Sequence, residues 1–434
     1  MNQNRVVITG LGAITALGCS VDLLWEGLLA GRSGIRRINS FDPCNLPCQI
    51  GGEIPDFNPK DYIDRRDIRR LPRSSQIALA SAIQAVKDAG LPEIMRNPER
   101  AGVVFGTALG GIDSLIEGLE LFRSNGISRI RPFVLPSGIP NLAGFAIAKR
   151  FQCLGPNSTV VTACATGTQT LGEGTELIRR GTADIIIAGG TESVMQDYSI
   201  AGFSVMRALP TNFNNNPEKA SMPFDANREG FVFSEGAAAV VLENLDHALE
   251  RNATIIAEVA GHASSSDGFH IAAPDPEGRG PMRAMKWAIE DAGITPEDID
   301  YINPHGSSTP LNDCMETRAI KGVLGDHAYE IPISSTKSML GHAMGASGTI
   351  EAIACILAIR DGKIPPTINY ETPDPECDLD YVPNEARSYP VKVALSNSFG
   401  LGGQNACLVI KQYTDQISPI MADGSIYSLE VKYE

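Results

Sequence analysis

Short apolar segments alternate with longer amphipathic ones along most of the chain, and this alternation limits the fold more than any other feature of the sequence. Residues 5–9, 101–105, 184–188 and 237–242 are rich in Val, Ile and Ala and have the length of buried strands. Residues 75–89 have the length and pattern of a helix. Strands that alternate with helices in this way predict an α/β fold.

The second half of the chain repeats this pattern. In each half a central strand ends in a polar, glycine-rich turn, which predicts a duplicated sandwich with five strands per half. We expect the first half to span residues 1–254 and the second 255–413, followed by a tail at 414–434. The predicted elements of the second half are strands at 255–259, 299–302, 393–395 and 406–410, and helices at 281–292 and from about Asn312 and Gly345.

Composition and charge exclude several classes of protein. The net charge of −15 makes nucleic acid or an anionic membrane an unfavourable partner. No apolar run approaches the ~20 residues that span a bilayer, and the N-terminus lacks the features of a secretory signal. The nine cysteines are scattered without CxxC pairs, which favours a cytoplasmic location, and Cys44 and Cys48 have no neighbours that would complete a zinc site. We therefore expect no metal centre.

Two short patterns have a plain and a functional interpretation. Gly10-x-Gly12 follows a predicted strand, but Thr15 stands where a dinucleotide-binding motif has its third glycine, so a Rossmann oxidoreductase is poorly supported. Residues 60–73 are the densest basic stretch of an acidic chain. Such a run is usually a solvated surface paired with its own aspartates, although it also fits a docking patch for an acidic protein.

Cys164 has the sequence setting of a nucleophile. Residues 158–163 predict a short buried strand, and the segment after Cys164 predicts a helix that ends before Gly181. A thiol at a helix N-terminus lies at the positive end of the helix dipole, which can lower its pKa and supply a thiolate. A single cysteine taken alone is more often a small buried hydrophobe.

Three glycine- and serine-rich turns offer partners for this thiol. His305 lies in residues 303–310 after a predicted strand, and His342 lies in residues 334–348 before an alanine-rich helix. A third turn, at 396–405, offers free backbone N–H groups. Catalytic groups favour loops held by rigid elements, and a cysteine, two histidines and a glycine-rich loop together suffice for acyl transfer.

Four motifs, in a fixed order, resemble those of the beta-ketoacyl-[acyl-carrier-protein] synthases of the thiolase superfamily, specifically the type II elongating enzymes. They are TACATG at 162–167, PHGSSTPLND at 304–313, Lys337 with Gly341-His342, and NSFGLGG at 397–403. The resemblance extends from about Arg5 to Tyr413. It implies a duplicated thiolase-like α/β fold, a five-layer αβαβα sandwich.

The resemblance also implies a reaction, the decarboxylative Claisen condensation of fatty-acid elongation. Cys164 would take an acyl chain from an acidic acyl carrier protein, and His305 and His342 would assist the loss of carbon dioxide from a malonyl thioester. The backbone N–H groups of Cys164 and Leu401 would form the oxyanion hole. The resemblance implies no cofactor, and it implies a homodimer.

Other residues match functional positions of the family. Lys337 and Glu351 match a supporting network beside the histidines. Asp313 and Glu316 match positions behind His305, near which the resemblance allows a structural monovalent cation. The remaining matches are Ser307 and Thr309 for the phosphopantetheine arm, Leu109, Phe203 and Phe399 for the acyl pocket, and Arg69, Arg70 and Arg207 for carrier-protein docking.

Three other classes of enzyme or subunit would be expected to differ from this sequence at a catalytic position. A degradative thiolase would be expected to carry a second catalytic cysteine near the C-terminal glycine loop, a type III initiating synthase to have Asn in place of His342, and a chain-length partner subunit to lack Cys164. A polyketide ketosynthase with its own carrier protein stays open. It shares every catalytic residue, and Leu401 stands where the family usually has a gating Phe.

Overall fold

The structure, a computed structural model, describes residues 4–414, and within them the predicted alternation of strands and helices is present. The predicted tail lies outside the described residues, apart from Thr414. The strands are β1 Val6–Ile14, β2 Arg36–Arg37, β3 Ile50–Gly51, β4 Ala101–Gly106, β5 Asn157–Ser158, β6 Ile185–Glu192, β7 Gly236–Asn244, β8 Ala257–Ser266, β9 Tyr301–Asn303, β10 Lys363–Ile364, β11 Arg387–Ser388, β12 Val393–Gly400 and β13 Gln404–Lys411. The α-helices are α1 Val21–Leu29, α2 Arg65–Ile68, α3 Arg73–Asp88, α4 Ile112–Asn125, α5 Val134–Ser137, α6 Leu142–Phe151, α7 Thr166–Arg179, α8 Asp197–Val205, α9 Leu245–Glu250, α10 Arg279–Asp291, α11 Pro310–Leu324, α12 Lys337–Leu340 and α13 Ser347–Asp361.

The large sheet of the described chain has the strand order β5-β4-β6-β7-β1-β8-β13-β12-β9. Its two halves meet where the start of β1 pairs antiparallel with the start of β8. Each half mixes parallel and antiparallel pairs: β4 runs parallel to β5 and β6, and β12 runs parallel to β9. Strands β1, β4 and β6 are buried along their whole length, as expected of strands that are covered on both faces.

Helices cover both faces of each half. α7 and α13 pack against each other and contact strands of both halves, so they form a central helical layer. α3 and α6 cover the outer face of the first half, and α10, with α11 beside it, covers that of the second. The predicted five-layer αβαβα sandwich is therefore confirmed. No helix among residues 4–414 combines the length and apolar character needed to cross a membrane.

Two predicted boundaries near the chemistry are wrong. Residues 158–163 are not a buried strand, because β5 ends at Ser158 and is exposed, and Ala163 opens a 3₁₀ turn with a φ of 49°. Their β-branched residues suggest a strand, yet the Thr162 N–H bonds to the Thr166 hydroxyl instead of to a neighbouring strand. The predicted turn at 396–405 is mostly a hairpin of β12 and β13, with only residues 401–403 in the turn.

Gly10 and Gly12 lie inside β1 and face α3. A Cβ atom at Gly10 would overlap the Ala85 carbonyl oxygen, and one at Gly12 would overlap that of Ser81. The two glycines therefore allow the helix to approach the strand closely. This packing role agrees with the rejection of a dinucleotide-binding motif.

We expect Gly10→Ala to destabilise the protein by about 3 kcal/mol or more, because the methyl group meets backbone atoms that cannot move independently. The matched control is Gly202→Ala, at an exposed site in α8 where a Cβ meets nothing within 4 Å. That change should stabilise by roughly 0.5–1 kcal/mol, through helix propensity alone. Denaturant unfolding measures both, and equal midpoints for the two variants would contradict the packing argument.

Candidate active site

Cys164 lies in the 3₁₀ turn Ala163–Ala165, directly before the central helix α7. The β12–β13 hairpin lies against this turn. A Cβ atom at Gly400 would be 2.8 Å from the Thr162 carbonyl oxygen and 3.1 Å from the Cys164 nitrogen, so only glycine permits this approach. The backbone N–H of Leu401, the next residue, lies in hydrogen-bonding range of the thiol. The predicted pair of backbone donors, at Cys164 and Leu401, is thus brought to one place.

Burial raises the pKa of the Cys164 thiol to about 12, although the Lys337 charge and the Leu401 N–H act in the opposite direction. The side chain is only 6% exposed. The sequence-based expectation of a lowered pKa is therefore wrong for the free protein. The free energy of removing the thiolate from water is larger than the stabilisation that the helix N-terminus and the nearby cation give it. In the free protein the Cys164 side chain is therefore a neutral thiol.

His305 follows strand β9, and the carboxylate of Glu316 fixes its turn. The Glu316 oxygens accept the backbone N–H groups of His305 at 2.8 Å and of Gly306 at 2.7 Å. Glu316 is fully buried, and burial raises its pKa to about 7 even though these N–H groups favour the charged form. Because helix α11 carries Glu316, the position of the His305 ring depends on that helix.

His342 lies between the short helix α12 and the helix α13. Its backbone N–H donates to the Val232 carbonyl at 2.7 Å, and its Nδ1 lies 2.8 Å from the Ser347 hydroxyl. The ring centroids of His342 and His305 are 5.3 Å apart, in an edge-on arrangement. The Phe399 ring lies 5.8 Å from the His305 ring. Two histidines that are far apart in the sequence thus form one pair.

Both histidines are neutral near pH 7. Burial, followed by the charge of Lys337, holds the pKa of each imidazole well below its usual range. One buried nitrogen on each ring, Nδ1 of His305 and Nε2 of His342, has no hydrogen-bond partner in the structure. A neutral imidazole has one N–H donor, so this pair can donate to an oxygen that becomes negative without carrying a charge itself.

Lys337 and Glu351 form a buried ion pair next to the histidines. The ammonium group of Lys337 donates to the Glu351 carboxylate and, at 2.6 Å, to the carbonyl oxygen of His305. Burial raises the pKa of Glu351, while the Lys337 charge opposes that rise. Lys337 thus contacts the His305 backbone rather than either ring, which is the geometry of a positioning residue.

Asp313 is fully buried, and its carboxylate already binds other groups of the protein. It accepts the Phe224 N–H at 2.9 Å and pairs with Arg228 at 3.6 Å. Two other buried oxygens are without a hydrogen-bond partner: Oδ1 of Asn303 and Oγ of Ser396, which are register partners on β9 and β12. Neutral oxygen atoms of this kind suit a monovalent cation, whereas the carboxylate of Asp313 is already paired with Arg228.

A cleft of about 430 Å³ opens above these groups. Most of the residues matched to substrate binding line it together with the catalytic candidates, but Leu109 does not; it is half-buried in a turn. Arg207 lies at this cleft, whereas Arg69 and Arg70 are exposed beside a different cleft. The lining residues predicted from the sequence are Cys164, Phe203, Arg207, His305, Ser307, Thr309, His342, Phe399 and Leu401.

Sequence reasoning missed Glu192, a fully buried residue at the end of β6. Its carboxylate accepts the backbone N–H groups of Ala108 at 2.9 Å and Leu109 at 3.3 Å, and it also accepts that of Gly345. Burial raises its pKa to about 7. Glu192 therefore links the Leu109 turn to the segment after His342. No local sequence pattern indicates this residue.

In architecture and in the position of its buried thiol, the molecule is a thiolase-like α/β protein. The family models for the N-terminal and C-terminal domains of beta-ketoacyl synthase match residues 3–248 and 256–371. The chain therefore belongs to the beta-ketoacyl synthase family.

A curated relative from Synechocystis sp., 3-oxoacyl-[acyl-carrier-protein] synthase 2, is 47% identical over 95% of this chain and 99% of its own. Two solved structures each align with 95% of this chain and 100% of theirs. One, a type II PKS ketosynthase in complex with its acyl-carrier protein, has a TM-score of 0.88 at 36% identity. The other, the ishigamide ketosynthase/chain length factor, has a TM-score of 0.89 at 38% identity.

Proposed function

We propose that this protein condenses an acyl chain with a malonyl group, both delivered by acyl carrier protein, to give 3-oxoacyl-acyl-carrier-protein. The observation that carries the proposal is the meeting of the Cys164 thiol, the His305–His342 pair and the Leu401 N–H in one cleft. The three parts supply a nucleophile, hydrogen-bond donors for an enolate and a donor for a tetrahedral oxyanion.

In the first half-reaction, the sulfur of Cys164 attacks the thioester carbonyl of the acyl carrier protein. A new carbon–sulfur bond forms to Cys164, the old one breaks, and the thiol proton leaves with the carrier thiol. Lys337 and the Leu401 N–H favour the thiolate that forms during attack, which offsets part of the cost of its burial. The backbone N–H groups of Cys164 and Leu401 stabilise the oxyanion, and one such donor is worth ~3 kcal/mol.

In the second half-reaction, malonyl thioester occupies the same cleft. Its carbon–carbon bond breaks, carbon dioxide leaves, and the electron pair becomes an enolate whose oxygen accepts hydrogen bonds from His305 and His342. The enolate carbon attacks the acyl-Cys164 carbonyl, the carbon–sulfur bond breaks, and the sulfur recovers a proton from solvent. The loss of carbon dioxide drives the two half-reactions forward, so the proposal includes no redox cofactor.

Fatty-acid elongation is the pathway we assign, because the curated relative that aligns with 95% of this chain is a 3-oxoacyl-[acyl-carrier-protein] synthase 2. A polyketide pathway is the second candidate, favoured by the ketosynthase structures of similar fold. Product analysis with malonyl carrier protein and a panel of saturated acyl carrier proteins tests the choice. Release of single-step 3-oxoacyl products supports elongation, whereas repeated condensation without release supports the polyketide pathway.

The exposed residues Arg69 and Arg70, with Arg207 at the cleft, are the proposed contacts for the acidic carrier protein. We expect Arg69→Glu combined with Arg70→Glu to raise the KM for acyl carrier protein about tenfold at low ionic strength, with a smaller effect as salt screens the charges. The control, Lys286→Glu with Lys363→Glu, makes the same charge change at exposed positions outside the clefts. Equal KM values for the two double variants would argue against this docking surface.

We also propose a cytoplasmic homodimer. The nine cysteines all lie within the described residues and none is in a disulfide, as is usual in a reducing compartment. Strand β5 lies at one end of the large sheet and is exposed, so it offers an edge for a second copy. A monovalent cation between Asn303 and Ser396 would stiffen the β9–β12 pair behind His305.

A further inference from the structure

A cluster of four potential metal ligands lies outside the cleft. Cys314 is on helix α11, and Asp374, Glu376 and Cys377 are in one tight turn, in which the Cys377 N–H donates to the Asp374 carbonyl at 2.8 Å. Cys377 is fully buried and Cys314 is 8% exposed. The ligand atoms of Cys314, Asp374 and Cys377 lie within 4.8 Å of one another.

The distances from the Cys314 sulfur to the other ligand atoms are close to those around a tetrahedral ion. Around a zinc ion with its usual bond lengths, two sulfur atoms lie about 3.8 Å apart, and a sulfur and an oxygen about 3.5 Å apart. Here the two sulfur atoms are 3.9 Å apart. From Cys314 Sγ the distances are 3.6 Å to Glu376 Oε2 and 3.9 Å to Asp374 Oδ2. Cys314, Asp374 and Cys377 are already close to one another, whereas Glu376 lies outside this mutual distance and its side chain has to turn inward to complete the site.

Arg228 supplies charge balance. Its guanidinium donates to Asp374 at 2.7 Å and to the Cys314 sulfur at 2.9 Å, and it pairs with Asp313. Two thiolates and two carboxylates around a divalent ion would carry a net charge of about −2, which a neighbouring guanidinium reduces.

We propose that Cys314, Cys377, Asp374 and Glu376 form a structural site for a thiophilic divalent transition metal ion, of which zinc is the representative. On binding, each thiol exchanges its S–H bond for a sulfur–metal bond and releases its proton to solvent. The ion joins the 374–377 turn to helix α11, which carries Asp313 and Glu316. The site therefore stabilises the helix that holds the His305 turn.

Cobalt(II) is the probe, because tetrahedral thiolate coordination gives a sulfur-to-cobalt charge-transfer band. In fully reduced full-length protein without oxygen, we expect one such site per chain. The band should disappear in Cys314→Ser and in Cys377→Ser. Glu376→Gln, at a largely exposed residue, should weaken binding about 10-fold or more without disturbing the fold.

Two controls separate this site from others. Cys164→Ala removes the thiol beside the two cleft histidines and should keep the band, and Cys44→Ser, at an exposed cysteine, should also keep it. Zinc should displace cobalt and raise the melting temperature of the unchanged protein but not that of Cys377→Ser. A band that is absent, that survives Cys314→Ser, or that is lost in Cys164→Ala overturns the proposal. Recovery of Cys314 and Cys377 as a crosslinked peptide from protein prepared without reductant also overturns it.

Discussion

We expect the Cys164→Ala protein to acquire no acyl adduct from an acylated carrier protein, whereas the unchanged protein gains one acyl group per chain. The reason is geometric: among the cysteines, only Cys164 lines the main cleft, with the Leu401 N–H beside its sulfur. Intact-mass analysis after incubation measures the adduct directly. The loss should be complete, because alanine has no nucleophilic atom.

The matched control is Cys153→Ala, which removes another buried cysteine that does not line the cleft. This variant also loses one buried sulfur atom, but it should still be fully acylated by the carrier protein. Equal melting temperatures for the two variants would show that folding does not explain the difference. An acyl adduct that persists on Cys164→Ala would reject the assignment of the nucleophile.

The second large effect concerns the histidines. His305→Ala and His342→Ala should each slow the decarboxylation of malonyl carrier protein about 100- to 1000-fold, since each removes one hydrogen-bond donor from the developing enolate. Transfer of the acyl group to Cys164 should continue in both, because neither ring is the nucleophile. Carbon dioxide release and intact mass, measured on the same samples, separate the two half-reactions.

The control variant is His327→Ala, at a histidine outside the cleft. The pH dependence adds a second check. Since burial keeps the pKa of both cleft histidines well below the usual value, their neutral forms persist as pH falls through about 6.5. The ring protons of His305 and His342 should therefore show no titration centred there by NMR, and this readout distinguishes them from the Glu316 and Glu192 carboxyls, whose pKa values are about 7. A titration at the ordinary histidine pKa would contradict neutral donors.

The alternating pattern predicted the layered α/β fold, because buried strands and amphipathic helices are encoded by neighbouring residues. The four motifs also selected the cleft residues in advance. The boundaries of individual strands and turns were less predictable. The β-branched run at 158–163 has the local preference of a strand, but it has no pairing partner where the chain turns toward Cys164. Pairing is a property of the neighbouring chain, which local sequence does not encode.

The site contained groups that no local pattern indicated. Glu192 shows no motif, yet its carboxylate joins two turns from different parts of the chain. The cluster of Cys314 with Cys377 is a further case. The residues around Cys44 and Cys48 predict no metal centre, whereas the ligands proposed above come from a helix and a turn about sixty positions apart.

The sequence by itself determined the class of fold and the family, and it predicted Cys164 as the nucleophile with His305 and His342 as its partners. Only the tertiary structure decided the protonation states of these three side chains. The helix N-terminus after Cys164 argues for a thiolate, but burial of the thiol raises its pKa to about 12, and burial beside Lys337 keeps both imidazoles neutral. The desolvation of an ionisable side chain depends on every element that packs around it. These elements come from distant parts of the chain, so no single stretch of sequence predicts the effect.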